Sequence, residues 1–157
     1  MSVRPFDPTL DLVLERVVAV PADRVWRAWT EPELLKKWFC PLPWKTVECE
    51  IDLQAGGIFR TVMQGPNGES QDSSGCFLEV VPGKRLIWTD ALSPGFRPAT
   101  GGFMTGIIEL FPEGNGTRYK ATALHASVEV RQQHETMGFH AGWGAALDQL
   151  VALVGDK

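Results

Sequence analysis

The clearest alternation of hydrophobic and polar positions lies at residues 45–53. There Val47, Cys49, Ile51 and Leu53 share one face, and Thr46, Glu48, Glu50 and Asp52 share the other. A period of two is the mark of a half-buried strand. An apolar run from Leu10 to Val20 predicts an earlier strand, stopped by Pro21. Pro21 itself suits a first helical turn, and Val25, Trp26 and Trp29 behind it predict a short helix. Thr30, Glu31, Pro32 and Glu33 match a capping box, so a second short helix is expected from Glu31 to Trp38, ended by Pro41 and Pro43.

Beyond Leu53 the chain reads as an antiparallel meander. Gly56 and Gly57 make a bend, 58–64 is a strand, and Pro66-Asn67-Gly68-Glu69 turns into a strand from Ser73 to Val81. Here Cys76, Leu78 and Val80 are expected to share the inward face, with Cys76 as a small buried apolar side chain. Pro82-Gly83-Lys84 turns into a strand from Arg85 to Ala91, and a longer loop spans Ser93 to Gly102. That loop is either a plain connection or a lid carrying Phe96 and Arg97. Strands at 103–111 and 117–124 flank the turn Glu113-Gly114-Asn115-Gly116, and Tyr119, Ala121, Ala123 and His125 should point inward from the second arm.

From Val128 to Val154 there is no proline, and Gly155 suits a C-terminal cap, which predicts one long helix. At about 100° per residue, Thr136, Phe139, His140, Trp143, Leu147, Leu150 and Val154 fall on one face, opposite His134, Ala141, Ala145 and Asp148. Gly138, Gly142 and Gly144 each weaken such a helix by roughly 1 kcal/mol relative to Ala, so packing must compensate. The whole is α+β: residues 1–9 form a flexible arm, and residues 10–155 one domain.

Composition narrows the partners. The 157 residues are 44% hydrophobic and 22% charged, the balance of a globular chain. A net charge of -4 supplies no general attraction for nucleic acid. No apolar run approaches the roughly 20 residues of a membrane span, and Asp11, Glu15 and Arg16 interrupt the first apolar stretch, so it is no signal-peptide core. Three cysteines without CxxC spacing indicate neither a disulfide framework nor a zinc ribbon and fit a reducing cytoplasm. Six Trp and eight Phe beside a single Tyr promise large apolar surfaces.

Chemistry-bearing motifs are few. A nucleophile elbow, His-Glu-x-x-His and a phosphate-binding Gly-x-x-x-x-Gly-Lys do not occur. His134 and His140 lie roughly 120° apart on the expected helix, which does not suit joint metal ligation, so neither a metal nor a cofactor is expected. His125 and His140 are both expected to point inward. The plain role for each is a core histidine bonded to a backbone carbonyl; the alternative is to orient a ligand.

The order and spacing of several segments resemble a known family. They are Pro21-Ala22-Asp23-Arg24-Val25-Trp26-Arg27-Ala28-Trp29-Thr30, Pro32 to Trp38, Asp52-Leu53-x-x-Gly56-Gly57, Gly75-x-Phe77-x-Glu79-Val80, Gly116-Thr117 and Gly142-Trp143-x-x-x-Leu147. Together they look like the bacterial family named for similarity to the activator of heat-shock protein 90 ATPase, within the START-like helix-grip superfamily. The resemblance implies a curved sheet gripping the C-terminal helix, with a cavity between them.

The eukaryotic activator places much of its chaperone contact in a separate N-terminal domain, for which this chain has no room, so chaperone contact is not the favoured expectation. The favoured one is binding of a small apolar or lipid-like molecule. Its expected wall is Trp29, Trp38, Met63, Trp88, Met104 and Trp143, with His125 and His140 as polar orienting groups. The alternatives are an enzyme of cyclase or hydrolase type, on fold analogy, and a co-chaperone-like interaction protein.

Overall fold

Residues 6–155 are described by a computed structural model. Strand β1 (Asp11–Val18) leads into helices α1 (Ala22–Thr30) and α2 (Pro32–Leu35). Strands β2 (Lys45–Ile51), β3 (Ile58–Gln64), β4 (Ser70–Val81) and β5 (Arg85–Thr89) follow as a meander, and β6 (Leu92–Ser93) pairs with β7 (Arg97–Pro98) in a small hairpin. Strands β8 (Thr105–Glu113) and β9 (Gly116–Leu124) precede helices α3 (Val128–Thr136) and α4 (Phe139–Val154). Seven strands form one antiparallel sheet in the order β1-β9-β8-β5-β4-β3-β2, which is the mixed α+β class expected.

The core lies between this sheet and the helices. Leu147, Leu150 and Val154 of α4 join Val25, Ala28 and Trp29 of α1 and Leu86, Ile108, Leu110 and Tyr119 of the sheet. Burying such side chains contributes about 1.5–3 kcal/mol each, so this layer dominates stability. Trp29 and Tyr119 also share a buried hydrogen bond, indole Nε1 donating to the phenol oxygen at 3.1 Å. Burial pushes the Tyr119 phenol well above its ordinary pKa.

Four local expectations are corrected. Thr30 is not a cap: it is the last residue of α1, its hydroxyl donates to the Trp26 carbonyl at 2.8 Å, and Glu31 stands at the N-cap of α2 without a side-chain cap bond. In β2 the pairing register shifts between Thr46 and Glu48. One extra residue in a strand flips the side chains beyond it, so Thr46 is buried, Val47 is exposed, and only Cys49 and Ile51 pack against the core. Leu53 lies past the strand end and is exposed.

A second shift, between Phe77 and Glu79 in β4, puts Phe77 and Val80 against the core and leaves Cys76 buried but outside that cluster. The fourth correction matters most. The expected single C-terminal helix is two, because Gly138 after Met137 takes φ +99°, a left-handed conformation that glycine adopts without steric cost and that ends the α3 hydrogen-bond ladder.

Candidate functional site

The residues expected to line a ligand space divide into separate groups. Trp29, Trp38 and Trp88 are buried and pack directly on one another, with ring centroids 4.9 Å apart for Trp29 and Trp38 and 5.3 Å for Trp29 and Trp88. Phe59 lies 5.4 Å from Trp88 and stacks on Phe77 at 5.2 Å. Between the sheet and α4, these rings occupy the centre. Met63 sits half-buried on β3, away from them. His140 was expected to point inward but is exposed, with Nε2 3.2 Å from the Val13 carbonyl oxygen. Thr136 is exposed too. For Thr136 the cause is that a helical face counted across Gly138 loses its register where the helix breaks; His140 shares α4 with the buried Leu147, Leu150 and Val154, so that break does not account for it.

Met104, His125 and Trp143 do come together. They meet at the end of the sheet where β8 starts, β9 ends and the α3–α4 junction passes over them. Two apolar clusters adjoin here, and Leu14, Met104 and Trp143 pack against both the main core and a smaller cluster of Leu12, Ala123 and Phe139. Asp90 positions the β8 side, its Oδ1 accepting the backbone N–H groups of Phe103 and Met104 at 2.7 and 3.1 Å.

His134, expected on the outer face, is buried and belongs to this place. Its ring lies 4.7 Å from Phe103, 5.2 Å from Phe139 and 6.0 Å from Trp143. The signal that could have found it was Gly138 itself, which ends the register of α3 before the face of α4 begins.

Hydrogen bonding fixes the state of both buried histidines. The Leu10 carbonyl, which also accepts the backbone N–H of His125 at 3.1 Å, stands 2.7 Å from His125 Nδ1. A carbonyl can only accept, so His125 Nδ1 carries the proton, and in the neutral imidazole His125 Nε2 is left as an acceptor. His134 Nδ1, 2.9 Å from that nitrogen, therefore donates to it. The chain of bonds ends on His134 Nε2, an acceptor that has no hydrogen-bond partner among the described residues. Burial, and secondarily the neighbouring His125, push His134 down to about 4, so His134 is neutral at pH 7.

The Ser93 to Gly102 loop, by contrast, is docked elsewhere. Gly95 N–H donates to the Gly56 carbonyl at 2.7 Å, and the Phe96 ring rests on the Gly56 backbone. Among the described residues no group of three or more His, Cys, Asp and Glu side chains could hold a metal ion. The three cysteines are free thiols, with Cys49 pushed up to about 11 by burial. No helix of the described residues is long and apolar enough to cross a membrane.

Comparison with known proteins gives a family and a fold. The family model described as Activator of Hsp90 ATPase homolog 1-like protein matches residues 19–155. Protein NE0264 from Nitrosomonas europaea is 54% identical over 96% of this chain and 97% of its own, with a TM-score of 0.93. Protein Ms6760 from Mycobacterium smegmatis is 27% identical over 98% of this chain and 96% of its own, with a TM-score of 0.79. An AHSA1-like protein from Aeromonas hydrophila, 22% identical over 94% of this chain and 96% of its own, shares the fold at a TM-score of 0.71. Among proteins with curated descriptions, none matches this chain.

Proposed function

The chain belongs to the Activator of Hsp90 ATPase homolog 1-like protein family, with the START-like helix-grip architecture, and from that premise we propose that it binds a small, largely apolar molecule carrying one hydrogen-bond donor. The ligand seats at the seam between the two apolar clusters, against Phe103, Met104 and Trp143, with its donor on His134 Nε2. Met104 is the adaptable wall, since an unbranched thioether side chain repacks at little cost. Relative to the expected site, His134 takes the orienting role first given to His140. His125 acts through it by holding its tautomer.

The observation that carries this reading is the hydrogen-bond chain from Leu10 to His134, which ends on an acceptor without a partner among aromatic rings. No fully buried side-chain nitrogen or oxygen lacks a partner among the described residues, so His134 Nε2 is reached from solvent. An oriented, accessible acceptor beside half-buried apolar walls favours a ligand that brings a donor. The depressed basicity of His134 favours binding over proton transfer, because a base near 4 is poorly matched to chemistry at neutral pH.

Titration with 1-naphthol, a small apolar molecule with one donor, tests the proposal by tryptophan emission. A saturable change that disappears in Trp143→Phe is expected. No saturable response, or one that Trp143→Phe leaves intact, would overturn it.

A further inference from the structure

A second feature lies at the opposite edge of the sheet, between the segment that follows α2 and edge strand β2. It is an open groove of about 290 Å³, close to the lower end of ligand pockets, which run from roughly 300 to 1,000 Å³. Phe39, Trp44 and Val47 give it apolar surface, and Lys36, Lys37 and Lys45 are its charged lining residues. No carboxylate lines it, although the protein as a whole carries a net charge of -4. Lys36 is paired with Glu33 at 2.8 Å, whereas Lys37 and Lys45 have no ion-pair partner among the described residues.

The groove is also held in shape. Gln149 of α4 donates from Nε2 to the carbonyls of Trp38 and Cys40 at 3.1 and 2.9 Å, and its Oε1 accepts the Leu42 N–H at 3.0 Å. The Trp44 ring lies directly on the backbone of Gly65, where an added Cβ would stand 2.8 Å from Trp44 Cζ2. Glu33 takes up Lys36 and also attracts Lys37, and the Glu69 carboxylate stands at Gly65 beside the ring, but Lys37 and Lys45 are left without a direct ion pair among the described residues. A ring platform with such cationic side chains at its rim has the chemistry of a site for a flat apolar acid. The bulge that turns Val47 outward supplies part of the apolar surface.

We infer that this groove binds a small apolar carboxylic acid, its body on Trp44 and Val47 and its carboxylate beside Lys37 and Lys45. The site is separate from the seam at Trp143 and stands whether or not that seam binds anything. Its preference comes from charge at a partly screened surface, so affinity falls as salt rises.

The test uses 2-naphthoate and its neutral match, 2-naphthamide, followed through the Trp44 indole N–H resonance of the labelled protein, assigned with Trp44→Phe. The expected result is a saturable shift of Trp44 with naphthoate binding at least tenfold tighter than naphthamide at low salt. In the double variant Lys37→Gln/Lys45→Gln the two probes should bind within about twofold of each other, and the unchanged remainder of the spectrum reports that the variant is folded. Equal affinities in the wild type, a preference that survives the double variant, or shifts that leave Trp44 unmoved would each overturn the inference. Trp143 is the readout for the seam, so failure of one site is distinguishable from failure of the other.

Discussion

Lowering the pH from 7 to 5 should destabilise this protein through His134 before any carboxylate contributes. The folded His134 is pushed down to about 4 from an ordinary value of 6.5, so between those limits the unfolded chain binds more protons than the folded one. Stability is therefore full above pH 6.5 and falls as the pH drops toward 4. With these two values the loss is about 2 kcal/mol at pH 5 and about 3 kcal/mol at pH 4, since each unit of displacement is worth about 1.4 kcal/mol. Both are upper bounds, because Phe103 and Trp143 are only half-buried and water screens a charge near them.

Carboxylates held low, such as Glu79 beside Arg85, contribute above their ordinary 4.5 and lose that contribution only below it. The window from 6.5 to 5 thus isolates the histidine. Urea unfolding at pH 7, 6 and 5 measures the free energy, and the ring Cε1–H resonance of His134 reports its protonation directly. A His134 midpoint near 6.5, or unfolding free energies equal at pH 7 and pH 5, would refute the hydrogen-bond chain as described.

Other expectations follow from single contacts. Trp29→Phe leaves the buried Tyr119 hydroxyl without its donor and should lower stability by about 1–3 kcal/mol in urea unfolding. Gly138→Ala places a Cβ at φ +99° and should cost about 1–2 kcal/mol; an unchanged midpoint would mean that the α3–α4 junction adopts another backbone. Arg16→Ala removes the ion pair to Asp148, whose side chains are 38% and 74% exposed, and should change stability by less than about 1 kcal/mol. Alkylation should be slow in the folded protein, where Cys49 is held largely as thiol at neutral pH, and should give three adducts after unfolding without reductant.

What could be read from the sequence was whatever local chemistry decides. The strand at 58–64, the helix behind Pro21, the Glu113 to Gly116 turn and the inward set Tyr119, Ala121, Ala123 and His125 all follow from period and turn residues, and the structure agrees. The readings that failed were registers carried across an irregularity. A bulge at Val47, another after Phe77 and the left-handed Gly138 each change which residues share a face on their two sides, and only tertiary packing decides where such a break falls.

Of the residues expected at the site, Met104, His125 and Trp143 lie together, whereas His134, expected outside, is buried beside them and His140, expected inside, is exposed. Trp29, Trp38 and Trp88 were correctly read as inward. Whether such rings line a space or fill it depends on how closely they pack, and here they lie in direct contact.

The central claim, that the seam holds an apolar ligand by its donor on His134, is tested most directly by calorimetry with a matched pair. 1-Naphthol carries the donor, and 1-methoxynaphthalene differs in lacking it. In the wild type naphthol should bind more tightly by about 1 kcal/mol, roughly fivefold, the worth of one shielded hydrogen bond. In His134→Phe, which keeps a ring over His125, the two should bind alike. Equal affinities in the wild type, or a naphthol preference that persists in His134→Phe, would contradict the account.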